Sequence, residues 1–75
     1  MMSEDQARYA LVELVNTYLS SDPEINNLLK KINDNSKLGL PLPIRGVLES
    51  MREYRTIEYS ELDKEIIEEL LYLYG

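Results

Sequence analysis

Ile25, Leu28, Leu29 and Ile32 recur at i, i+3, i+4 and i+7, and the same interval returns at Ile44, Val47, Leu48 and Met51. An apolar residue every three to four positions makes one stripe along a helix of 3.6 residues per turn, whereas on a strand it would scatter over both faces. A chain built from such stretches hides its apolar side chains by laying helix on helix. That constraint points away from sheet architectures before composition is considered.

The boundaries follow from caps and breakers. Ser3 with Gln6 three residues later reads as a capping box, and Ala7, Leu11, Leu14, Val15 and Tyr18 continue at helical spacing, so a first helix is expected from about residue 4 to about residue 20. Its apolar residues spread over roughly 200° of circumference, twice the arc of about 100° that one core contact requires, which marks it as central. Ser20-Ser21-Asp22-Pro23-Glu24 ends it and starts a second, short helix, with Ser21 or Asp22 as cap and Pro23 in the first turn. From Asn33 to Pro43 the run NDNSKLGLPLP gathers turn formers, a glycine and two prolines and is expected to be a loop. Leu38, Leu40 and Leu42 alternate within it. They are expected to lay an extended segment across the core, with a partner-docking strand as the alternative. Pro43 opens a third helix, Arg55 to Tyr59 is extended because Thr, Ile and Tyr favour that geometry, and Ser60 with Asp63 caps a fourth helix that runs to Gly75. The expected fold is therefore all-α: one domain over residues 1–75, a compact bundle of four short helices, with a Pro/Leu loop between the second and third and a short extended segment before the fourth.

A domain of 75 residues is small. Chains of this size bury only about 60% of the surface they expose when unfolded and usually need a staple. There is no cysteine and no histidine, so neither a disulfide framework nor a thiolate or imidazole metal site is expected. Efficient packing or a partner remains. The lack of cysteine fits a cytoplasmic protein, and the abundance of Ile, Leu, Glu and Lys fits a heat-adapted one. Met1 and Met2 lead into Ser-Glu-Asp, so no secretory signal is expected, and no apolar run is long enough to span a bilayer.

The formal charge of −6 is unevenly laid out. Residues 1–29 carry Arg8 against Glu4, Asp5, Glu13, Asp22 and Glu24; residues 30–55 carry Lys30, Lys31, Lys37, Arg45, Arg52 and Arg55 against Asp34, Glu49 and Glu53; residues 56–75 carry Lys64 against Glu58, Glu61, Asp63, Glu65, Glu68 and Glu69. Two acidic ends flank a basic middle. Phosphate contacts need such a cluster, but no aromatic residues interleave with Lys30, Lys31, Lys37 and Arg45 for base stacking and no glycine-rich cradle accompanies them. A solvated patch is the favoured reading of the basic middle.

The segment GVLESMREYRTIEYSELDKEIIEELL, residues 46–71, resembles the helix, short strand, helix opening of winged-helix domains, with Tyr54-Arg55-Thr56-Ile57 leading into the second helix at Ser60. The resemblance implies a shared scaffold. It does not extend to DNA binding, because a recognition helix is missing and Glu61, Glu65, Glu68 and Glu69 would face phosphates. Calcium is not expected either: an EF-hand-like start at Asp34 meets apolar Leu38 at a ligand position and Arg45 where the closing glutamate belongs. Nor is an enzyme. Without His or Cys, catalysis would fall to carboxylate, lysine or tyrosine groups in a cleft that four short helices leave little room for. No cofactor is called for.

The fourth helix carries the functional expectation. Leu62, Ile66, Ile67, Leu70, Leu71, Leu73 and Tyr74 cover about half of its wheel, while Glu61, Glu65, Glu68 and Glu69 crowd the other half around Tyr72. Glu61 with Glu65 and Glu65 with Glu69 are like-charge i, i+4 pairs, each costing about 0.2–0.5 kcal/mol, and only Lys64 offsets them. Tyr72 and Tyr74 lie about 200° apart on such a helix, so a lone monomer exposes at least one of them. The sequence therefore leads to a small acidic interaction module, an accessory subunit or adaptor of a larger complex such as a polymerase or other nucleic-acid-processing enzyme. It would dock through Glu61, Glu65, Glu68, Glu69, Tyr72, Leu73 and Tyr74, with loop docking through Leu38, Leu40 and Leu42 as a further candidate. The partner is a larger protein with a basic surface, or a second copy; the alternative is a dimeric winged-helix-like or helical nucleic-acid-binding regulator using the basic middle.

Overall fold

The computed structural model describes residues 2–75. It consists of α1 (Glu4–Tyr18), α2 (Ile25–Lys37), α3 (Ile44–Tyr54) and α4 (Glu61–Tyr74), with no strand among the described residues. The all-α bundle expected from the apolar spacing is what forms. None of the helices is long and apolar enough to cross a membrane.

Each start is written locally. At α1 the Gln6 N–H donates to Ser3 Oγ at 3.1 Å while the Ser3 N–H donates to Gln6 Oε1 at 2.9 Å, closing the reciprocal box. At α4 the Asp63 N–H donates to Ser60 Oγ at 3.1 Å. Before α2 the Asp22 carboxylate accepts from the Glu24 N–H at 2.9 Å, and the helix proper begins at Ile25, which leaves Pro23 in the preceding turn rather than in the first helical turn. Before α3 the Ile44 N–H donates to the Leu42 carbonyl at 2.9 Å around Pro43, whose φ of −82° and ψ of 57° are those of an inverse γ-turn.

The loop expected from Asn33 is shorter than its composition suggested. Helix α2 continues through Asn33–Lys37, and the connection begins only at Leu38. Asn, Asp and Ser lower helix propensity by only a few tenths of a kcal/mol each, too little to end a helix that is otherwise anchored. What ends it is Gly39, which takes φ 71°. The Gly39 N–H then donates to the Ser36 carbonyl at 3.2 Å and the Leu40 N–H to the Asn35 carbonyl at 2.9 Å, the two bonds of a Schellman stop. The three loop leucines also part company: Leu42 is buried in the core, whereas Leu38 and Leu40 are exposed, because the Schellman turn carries them outward.

The molecule measures 29 × 26 × 15 Å between its extreme Cα atoms, and the short axis admits just two layers of helices at an interaxial spacing of about 8–10 Å. α1 supplies the centre. Its Ala7, Leu11, Leu14 and Val15 are buried, as is Leu19 just beyond, and α1 packs on both α2 and α4. No polar or charged residue is buried among the described residues. Helix α4 is attached more lightly than its apolar wheel implied: only Leu70 is fully enclosed, Ile66, Ile67, Leu71 and Tyr74 are half-buried, and Leu62 is 66% exposed. Two layers leave α4 without a neighbour on much of its circumference.

Tyrosines stitch α4 to α1 at both ends. The Tyr74 hydroxyl donates to the Met2 carbonyl at 3.0 Å. At the other end the Tyr18 hydroxyl donates to the Asp63 carboxylate and accepts from the Ser60 N–H at 3.1 Å. The Tyr18 ring meets Tyr59 edge to face with centroids 4.8 Å apart. The two helices therefore run antiparallel.

Candidate interaction surface on helix α4

Glu61, Glu65, Glu68 and Tyr72 follow one another at intervals of four, three and four residues, which on an α-helix is a single stripe. All four are exposed. Leu70 faces the core and sets the rotation of the helix, so the opposite stripe points to water. Tyr72 is 87% exposed, the most exposed large apolar side chain of the described residues, and it stands among carboxylates. Glu69 flanks the stripe and is exposed too. Lys64 contacts Glu61 at 3.3 Å, and no other ion pair reaches these glutamates among the described residues.

The residues expected to form one docking set are thus divided. Glu61, Glu65, Glu68, Glu69 and Tyr72 share the solvent side of α4. Leu73 is half-buried, and Tyr74 is half-buried with its hydroxyl spent on Met2, so it serves the monomer's own packing. Leu38 and Leu40 are exposed on the α2–α3 connection, a separate element, and Leu42 belongs to the core.

Two features escaped the sequence reading. Tyr9 on α1 is 68% exposed. It lies outside the apolar arc of α1, which is the signal that could have found it. The second is a groove of about 390 Å³ between α3 and α4, floored by Leu48, Ile67 and Leu71 and ending against Tyr59. No helical wheel reveals a space between two helices. The Tyr59 hydroxyl is buried without a hydrogen-bond partner among the described residues, and this burial, reinforced by the neighbouring Tyr18 and opposed by Arg52, pushes its pKa above the ordinary tyrosine value of 10.0.

The basic middle is spread over α2 and α3. Lys30 sits 3.8 Å from Asp34, and the Lys31 ammonium lies over Gly46, so close that a Cβ there would stand 3.1 Å from it. The stretch from Asp34 that began like a calcium loop is helical through Lys37. No group of three or more acidic, His or Cys side chains among the described residues is arranged to hold a metal.

Comparison with protein-family models, with curated proteins and with solved structures gives no match to this chain.

Proposed function

We propose that this protein is a non-enzymatic interaction module, an accessory subunit or adaptor that docks on a basic surface of a larger protein through the outer stripe of α4. One observation carries the reading: Tyr72 stands 87% exposed one turn beyond Glu68 and Glu69 on a helix already anchored by its opposite side. A tyrosine brings about 150–250 Å² of contact area with a polar tip, and interface hot spots are enriched in this residue. Held among like charges, it gains most from a surface that neutralises the carboxylates while covering the ring. Large assemblies with basic surfaces include polymerases and other nucleic-acid enzymes, which makes that class the first to search. A cytoplasmic setting belongs to the same proposal and rests on the cysteine-free composition.

The test is stoichiometric capture of the partner from source lysate by the wild-type chain, by Tyr72→Ser and by Glu65→Lys with Glu69→Lys, each with a thermal melt. Retention by the wild type that fades with salt, and loss in both variants at unchanged melting temperature, is expected. A monomer by native mass measurement that retains nothing, or variants that retain as much as the wild type, would refute the docking role.

A further inference from the structure

A second groove opens between α1 and α4, on the flank of α4 turned away from α3: Ile66 faces it, whereas Ile67 faces the α3 side. It follows α1 for about two turns, holds about 230 Å³ and is floored by Ala10, Leu14 and Ile66. Because the two helices run antiparallel, its ends are marked by Tyr9 of α1 and by Leu62, one turn before Ile66 on α4, and both are exposed. We infer that this groove docks an arginine-bearing amphipathic helix of a partner protein. Its apolar side lies on Leu62 and Ile66 and its arginines meet Tyr9 and Glu13.

Charge selects the occupant, because the lining is of one sign. Glu13 and Asp63 border the groove and no lysine or arginine does. The cations closest along each helix are committed elsewhere: Arg8 pairs with Asp5 at 2.8 Å and Lys64 with Glu61 at 3.3 Å. Neither Glu13 nor Asp63 has an ion-pair partner within 4.0 Å among the described residues, although Asp63 accepts from the Tyr18 hydroxyl. Tyr9 and Glu13 stand at i and i+4 on α1 and are both exposed, so one guanidinium can lie on the ring and pair with the carboxylate at once. A lysine brings a point charge but no plane to stack. The volume falls below the range of about 300–1,000 Å³ typical of small-molecule clefts, which favours a segment laid along the surface over an enclosed ligand. Two helices packed about 8–10 Å apart leave a furrow that a third helix fills, with contacts one turn apart such as Leu62 and Ile66. A second copy fits poorly. Two-fold pairing of this face would set Glu13 and Asp63 against acidic residues of an identical chain, each chain carrying −6. Nucleic acid would bring phosphates to the same carboxylates.

The test uses the full chain and four synthetic peptides. Three are helical and share a leucine face flanked by Arg, Gln or Glu; the fourth is the Arg peptide scrambled so that no leucine face forms. Amide shifts of the protein are followed by NMR. The Arg peptide is expected to move the signals of Tyr9, Ala10, Glu13, Leu62 and Ile66 and to bind about tenfold more tightly than the Gln peptide, as a charge-assisted contact over a neutral one requires. The Glu and scrambled peptides should leave those signals in place at the same concentration. Tyr9→Gln and Glu13→Gln, both at exposed positions, should each weaken the Arg peptide about two- to fivefold at unchanged melting temperature. Glu53→Gln on α3 removes the same charge away from the groove and should not. Groove signals unmoved at about 1 mM Arg peptide, a Kd near the weakest useful limit, would overturn the inference. So would equal affinity for the Arg and Gln peptides or for the scrambled one, an equal loss in Glu53→Gln, shifts centred on Tyr72 with α1 unmoved, or a wild-type dimer in which a second copy covers Tyr9 and Leu62. Neither α1 substitution touches the stripe of Glu61, Glu65, Glu68 and Tyr72, so the capture experiment can fail while this one succeeds, and the reverse.

Discussion

Replacing Tyr18 by Phe removes one oxygen and nothing else, and that oxygen joins three elements. It donates to the Asp63 carboxylate, accepts from the Ser60 N–H at 3.1 Å, and sits on a ring packed 4.8 Å from Tyr59. Phe preserves the ring contact, so the loss is confined to hydrogen bonding. The Ser60 N–H is exposed and takes water in place of the hydroxyl, contributing little. The bond to Asp63 is part-buried and made to a charged acceptor, a class that contributes about 1.5–3 kcal/mol; partial exposure puts this one at the low end, about 1.5 kcal/mol. For a domain of 60–100 residues each kcal/mol shifts the melting temperature by about 4–8 °C, so Tyr18→Phe should melt about 6–12 °C below the wild type. Urea titration followed by far-ultraviolet circular dichroism at neutral pH measures the free energy directly. A double-mutant cycle with Asp63→Ala should return a coupling of at least about 0.5 kcal/mol. A melting temperature within about 1 °C of wild type, or strict additivity in the cycle, would show that the Tyr18 hydroxyl does not hold α4 to α1.

Leu70→Ala empties the single fully enclosed position of α4 and should cost about 2–5 kcal/mol by urea titration, with α4 amides exchanging ahead of those of α1. Gly39→Ala meets no atom within 4 Å, so its cost is the left-handed backbone alone, about 1–2 kcal/mol in the same titration. Because burial raises the Tyr59 pKa above 10.0, its contribution to stability is fully present below the unfolded value and is lost as pH rises through the folded one. Urea midpoints from pH 9 upward should therefore fall less steeply in Tyr59→Phe than in the wild type; parallel slopes would contradict the burial.

The helices were legible because their signals are local. Ser3 with Gln6 and Ser60 with Asp63 specify two starts through atoms three residues apart, and Ile44, Val47 and Met51 report one buried face by spacing alone. The misplaced boundary at Asn33 has an equally local cause. Asn33–Lys37 looked like a turn by composition, but weak propensities yield to a helix with a proper end, and Gly39 was that end. Among the candidate docking residues, the exposure of Tyr72 followed from its angular distance from Leu70, whereas the half-burial of Tyr74 depended on reaching Met2 across the whole length of the chain.

By itself, then, the sequence determined that four amphipathic helices form and which side of each is apolar, since periodicity and caps act within a few residues. Only the tertiary structure decided how much of each apolar side is covered. A two-layer arrangement 15 Å across covers the apolar side of α1, leaves Leu62 in water, and opens a groove beside Leu48 and Leu71 that no single helix contains. Burial is a property of neighbours, and neighbours distant in sequence are set by the packing of the whole chain.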